Sequence, residues 1–204
     1  MSTTTHVTEH RDDVASKIGM WLFIFTELLL FGALFIVYSV YRFEYQTAFH
    51  LAGQELDVGI GTLNTAILLI SSATIAMSIS AIQYGNKKHT LYFLYATLFL
   101  AIVFLVNKYF EWQVKFDHGL YPGSNILQSF GQGDTLFFGL YFFMTGLHAL
   151  HIIIGIVIIA VMIAKVQSGT LNSDYFVQLE NTGLYWHLVD LIWIFLFPLF
   201  YLIA

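Results

Sequence analysis

Cysteine is missing from all 204 residues, which excludes disulfides and thiolate metal sites together. Charge is scarce as well. Asp, Glu, Lys and Arg make up 10% of the chain, against about 25% in soluble domains, so the composition is not that of a soluble enzyme or scaffold. No basic stripe is present and nucleic acid is not an expected partner. The sequence has no P-loop, nucleophile elbow or HExxH pair. Residues 1–17 are polar, with neither the basic-then-apolar order nor the small-residue cleavage site of a secretory signal, and Glu9, Asp12 and Asp13 argue against a transit peptide.

What the chain has is apolar length. Hydrophobic residues make up 58% of it. Segments near 18–41, 59–82, 91–112, 135–164 and 182–204 each reach the ~20 residues that carry a helix across ~30 Å of hydrocarbon. They are unbroken runs rather than alternating ones, so they read as helices and not as barrel strands. The expected class is all-α: a polar tail over 1–17, then one transmembrane domain of five helices over 18–204. The tail and the second and fourth connections share one side and hold Arg11, Lys17, Lys87, Lys88 and Lys165. The other side holds Arg42 and Lys115, with Lys108 near the end of the third helix. That bias predicts a cytoplasmic N-terminus and an external C-terminus. The longer connections, 42–58 and 113–134, then lie outside.

Ionisable groups inside the apolar segments are the candidates for function, because a charge at the bilayer centre costs roughly 3 kcal/mol on insertion scales. Glu27 lies mid-way along the first helix. His148 and His151 occur at about the same depth on the fourth, three residues apart and so on one face, which Gly155 continues as a small contact. This face should point into the bundle and meet Glu27, with His151 preferred over His148. On the fifth helix His187 and Asp190 form a second pair three apart. Trp186, Asp190, Trp193 and Phe197 follow a helical stripe that reads as a packing seam rather than a cofactor box. Small polar side chains crowd the second helix, with Ser72, Ala76 and Ser80 at fourfold spacing, which suits close packing and hydrogen bonds across helices better than a pore lining. The embedded histidines read as structural hydrogen-bonding groups, not haem or metal ligands, since no carboxylate-histidine cluster accompanies them. His6, His10, His50, His89 and His118 lie in the tail or connections and read as solvated.

Five stretches together resemble a known family. These are Gly19-Met20-Trp21-Leu22-Phe23-Ile24-Phe25-Thr26-Glu27, then Leu63-Asn64-Thr65, Glu111-Trp112, Gly146-Leu147-His148-Ala149-Leu150-His151 with Gly155, and Tyr185-Trp186-His187-Leu188-Val189-Asp190-Leu191-Ile192-Trp193. They are similar, in order and over all five helices, to subunit III of haem-copper terminal oxidases, in a short five-helix bacterial form. The resemblance implies a non-catalytic subunit of a respiratory complex in a bacterial cytoplasmic membrane. Such a subunit stabilises subunit I over many turnovers and supports proton uptake while oxygen is reduced to water. It implies no cofactor on this chain, with haem and copper in partner subunits and structural phospholipid as the companion it admits. Subunit I would be the main contact, with subunit II and membrane lipids as further neighbours. Glu27 matches the family's buried carboxylate that reacts with a hydrophobic carbodiimide, and the resemblance adds Glu111 and Asn64 to the polar set. Longer members have two further helices ahead of the first one here. The alternatives are a subunit III-like accessory protein of nitric oxide reductase, or a stand-alone proton-conducting or haem-binding membrane protein.

Overall fold

The computed structural model describes residues 13–203. The tail expected over 1–17 lies outside the described residues up to residue 12, and with it Glu9, Arg11, Asp12, His6 and His10. Among the described residues there are no strands beyond one isolated bridge between Asn172 and Tyr175. Five helices are long and apolar enough to cross a membrane: α1 (Asp13–Glu44), α3 (Val58–Gln83), α4 (Lys87–Asp117), α6 (Gln132–Ser168) and α7 (Val177–Phe197), the last extended by a π-helical turn, Pro198–Leu202. The chain is a multi-pass, all-α membrane protein.

Helices α1, α3, α4 and α6 outrun their apolar segments at both ends, and α7 starts ahead of its own. The 32 residues of α1 span about 48 Å and the 37 of α6 about 55 Å, well beyond the hydrocarbon layer. Residues 13–17, expected as part of a polar tail, form the first turn of α1. The two longer connections also differ from expectation, since they contain short helices: α2 (Gln46–Gln54) and α5 (Asn125–Phe130). Both are too short to cross a membrane and carry buried anchors, Phe49 and Leu127.

Helices α3 and α4 form the most extensive pair. Their turn needs Gly85 at φ 70, in the left-handed region that glycine enters without strain. Asn86 then caps α4 by accepting from the His89 N–H. Helices α3, α4, α6 and α7 close a ring in which each packs on two others, and α1 lies outside it against α6 and α7. The packed interior is aromatic, with Trp186, Trp193, Phe104, Phe137, Tyr141 and Phe200 almost fully buried, so the expected Trp186–Trp193 seam is present. Gly155 admits Trp186 to within 2.7 Å of where a Cβ would stand. Pro198 has no N–H to give the preceding turn, and the chain widens there so that Ile203 N–H donates to Pro198 O at 3.0 Å.

Candidate functional site

Glu27 and His151 meet. His151 Nε2 lies 3.1 Å from Glu27 Oε2, and the side chains are 9% and 15% exposed. His151 Nδ1 stands 2.8 Å from the Leu147 carbonyl, and a carbonyl can only accept, so Nδ1 carries a proton. Nε2 then either accepts from the Glu27 acid or, with the ring doubly protonated, donates to the carboxylate. In both cases a single proton is held between the two residues. The pair joins α1 to α6, Phe31 packs edge-on to the imidazole at 5.5 Å, and Tyr185 OH on α7 donates to His151 O at 2.8 Å.

His148 behaves differently from the hydrogen-bonding role expected of it. It is fully buried and neither ring nitrogen has a hydrogen-bond partner. Instead it stacks on Trp193 at 5.3 Å and meets Phe104 edge-on at 5.7 Å. The reason is positional: one turn from His151 it faces the aromatic interior, away from Glu27.

His187 and Asp190 do not bond to each other. His187 Nδ1 pairs with Ser72 Oγ at 2.7 Å. The same hydroxyl faces the Asp190 carboxyl, whose Oδ1 is buried without a hydrogen-bond partner. Because α7 starts at Val177 rather than near 182, the two lie about 15 and 20 Å along it, near the middle of that helix. Hydrogen bonds across helices expected of the second apolar segment are present in α3, but not along the expected Ser72, Ala76 and Ser80 line: Ala76 and Ser80 are exposed, because that line turns away from the bundle above Ser72. Trp186 Nε1 donates to Ser71 Oγ and Trp193 Nε1 to Thr65 Oγ1, both at 3.0 Å. Thr74 and Thr97 hydroxyls pair at 2.7 Å, and Asn107 Nδ2 donates to Asn64 Oδ1 at 3.0 Å.

The densest cluster surrounds a residue that sequence reasoning took for a helix-end charge. Lys108 is 3% exposed. Its three ammonium hydrogens are matched by three acceptors: Glu111 Oε2 at 3.1 Å, Tyr141 OH at 3.0 Å and Tyr201 OH at 2.7 Å. Tyr141 OH donates to Glu111 Oε1 at 2.6 Å, and Tyr201 OH donates to the same oxygen. Trp193 offers its ring face 5.2 Å from Nζ. Glu111 is therefore the carboxylate of a closed network joining α4, α6 and the π-turn. Lys115, also expected as a surface charge, is buried and donates to the Glu55 carbonyl. The missed signal was spacing: Lys108, Glu111 and Lys115 fall at i, i+3 and i+7, on one helix face.

Chemically, these groups hold protons and tie helices together. Among the described residues, no three His, Asp or Glu side chains converge as metal ligands.

The profile of the family described as cytochrome c oxidase subunit III matches residues 1–204. A protein named heme-copper oxidase subunit I+III from Aeropyrum pernix is 32% identical over 191 residues, 91% of this chain but only 22% of that protein's length. Cytochrome c oxidase subunit 3 of Yarrowia lipolytica is 33% identical over 211 residues, covering 98% of this chain and 73% of the relative. Its counterpart in Podospora anserina is 32% identical over 193 residues, covering 91% and 66%.

Proposed function

The chain belongs to the cytochrome c oxidase subunit III family, and from that membership we propose that it is a non-catalytic subunit of a respiratory haem-copper oxidase that stabilises subunit I and supports proton uptake while oxygen is reduced to water. The observation that carries the reading is the family match over the whole of residues 1–204. The relative whose name joins subunits I and III in one polypeptide supports subunit I as the main partner, with subunit II nearby. In this reading haem and copper belong to those partners, and phospholipid lies along the exposed face of α1. The N-terminus is cytoplasmic, on the basic side of the bundle, in a bacterial cytoplasmic membrane.

The polar contacts support a stabilising role. Every transmembrane helix takes part in at least one side-chain hydrogen bond to another, and the Glu27 and His151 pair places an exchangeable proton near the bilayer centre. The experiment is oxygen consumption through prolonged turnover by complexes with and without this chain, with subunit content measured on the same sample. A complex lacking the chain should start near the normal rate and inactivate sooner. Equal lifetimes with and without the chain would overturn the stabilising role. The purified chain should show no haem absorbance, and a Soret band belonging to it would contradict the non-catalytic assignment.

A further inference from the structure

The last turn of α1, helix α2 and the π-turn enclose a cavity of about 530 Å³, within the roughly 300–1,000 Å³ of ordinary ligand sites. Tyr38 braces its walls. That residue is buried, its hydroxyl donates to Leu199 O at 2.6 Å, and its ring meets Phe49 of α2 at 5.4 Å and Phe200 of the π-turn at 4.9 Å. Arg42, Gln46 and His50 line the cavity, and none of its described lining residues is acidic. Glu44 is exposed two residues beyond Arg42, about 200° round the helix and so on its far side.

Arg42 is half-buried and has no hydrogen-bond or ion-pair partner among the described residues. Most other cations near the ends of the bundle are answered by the protein. Lys17 meets Glu180 Oε2 at 2.8 Å, Lys87 donates to Gln167 O at 2.7 Å, Lys115 to Glu55 O, and Lys165 to Gln178 Oε1 at 2.7 Å. Lys88 also lacks a partner, but it is fully open to solvent in the first turn of α4. The C-terminal end of α1 favours a cation in its last turn, which explains the charge of Arg42 but not the cavity it faces. A guanidinium presents a planar fork of donors that fits a phosphate bidentately.

From the cavity an apolar groove of about 440 Å³ runs back along α1, lined by Phe35, Ile36, Val40 and Phe43, with Ser39 and Phe43 common to both. Phe35 lies about 10 Å before Arg42 along the helix axis, which is inward from the membrane surface. Ser39 gives its hydroxyl hydrogen to Phe35 O at 2.8 Å, so it has no donor to spare for a ligand. A basic cavity at a helix end that opens into an apolar groove matches a lipid, with phosphate at the interface and an acyl chain below it. Free phosphate would leave the groove unfilled. An ammonium headgroup would find no carboxylate in the cavity, which favours a net-negative headgroup such as phosphoglycerol over ethanolamine or choline.

We propose that the cavity and groove hold one anionic phospholipid, its phosphate on Arg42 and an acyl chain against Phe35, Ile36 and Val40, in the leaflet at the C-terminal end of α1. This rests on the phospholipid read along α1 and adds its headgroup chemistry, its leaflet and the residue that selects it.

The test uses the full chain in its native complex, reconstituted in phosphatidylcholine nanodiscs with a trace of phosphatidylglycerol that carries a diazirine on an acyl chain. After irradiation, mass spectrometry should map adducts to residues 35–43. Arg42→Gln should lower them by about fivefold or more, Arg42→Lys should keep about half or more, and Lys88→Gln should leave them unchanged. A phosphatidylcholine probe with the same acyl chain should give about a third as many or fewer. Because Arg42 has no protein partner to lose, Arg42→Gln should keep its melting temperature. Equal labelling of Arg42→Gln, or equal labelling by the two probes, would overturn the proposal. So would the absence of adducts at 35–43 in the complex, the result expected if a carboxylate of a partner subunit fills the cavity. Adducts confined to residues 18–29 would overturn the Arg42 site alone, whereas no adduct anywhere on α1 with either probe would fail the phospholipid reading itself.

Discussion

Removing either member of the Lys108 and Glu111 pair leaves the other buried without its counter-charge. Such losses cost about 3–5 kcal/mol, whereas replacing both partners with apolar side chains of similar volume is often neutral. Lys108→Met and Glu111→Leu should each lower unfolding stability in detergent by that order, and the double variant should be more stable than either single one, as read by a double-mutant cycle in thermal or denaturant melts. Glu27 permits a different experiment. A hydrophobic carbodiimide should label the chain at Glu27 and fail to label Glu27→Gln, which should still assemble because an amide can keep the contact with His151; labelling that survives the substitution means that another carboxyl reacts. Glu27, His151 and Asp190 were legible in the sequence because an ionisable residue inside an apolar run announces itself. Lys108 was not, since it lies close enough to a helix end to pass for an interfacial charge. Only the tertiary arrangement brings Tyr141 and Tyr201, 33 and 93 positions along the chain, around it. The partnerless state of His148 was equally invisible, because one helical turn decides whether an imidazole faces a carboxyl or a tryptophan ring.

Between elements, the closest approaches depend on missing side chains. A Cβ at Gly155 would lie 2.7 Å from Trp186 Cζ3 and 3.2 Å from Tyr185 Cε1, and one at Gly61 would lie 2.7 Å from the Phe197 ring. Gly155→Val should separate α6 from α7 at a cost of about 1–3 kcal/mol, measured as a lower melting temperature, while Gly139→Val, at a position with open space around it, should leave it within error. Valine is a slightly better helix former than glycine, so an equal drop at both positions would mean that the α6–α7 contact does not set the cost. Five apolar runs made the five crossings readable. Their ends were less so: residues 13–17 and 177–181 are polar and helical, because a helix leaving the hydrocarbon continues as long as its backbone bonds and side-chain partners hold, as Lys17 does with Glu180 at 2.8 Å. Helices α2 and α5 went unread for a related reason. At 9 and 6 residues they are too short to show a period and are held by few buried residues, Phe49, Ala52 and Gly53 on α2 and Leu127 on α5.

At the scale of the molecule, a four-helix ring with α1 laid on its outside divides stability unevenly. Only 11% of the apolar window of α1 is buried, against 56% for α7, so α1 should exchange amide hydrogens faster than α7 in detergent, and hydrogen-exchange mass spectrometry would detect the order. The closed network around Lys108 also sets a timetable for synthesis. At ~5–20 residues per second, the ribosome finishes Lys108 roughly 5–20 s before it reaches Tyr201, the acceptor 93 positions later. Through that interval an ammonium group already bound for the membrane interior lacks its full set of partners, and α4 can settle only when α6 and the π-turn arrive. A nascent chain paused between them is therefore a natural client for an insertion chaperone. Tyr201→Phe, which deletes one hydroxyl from the finished protein, should prolong that association in a pulse-chase experiment.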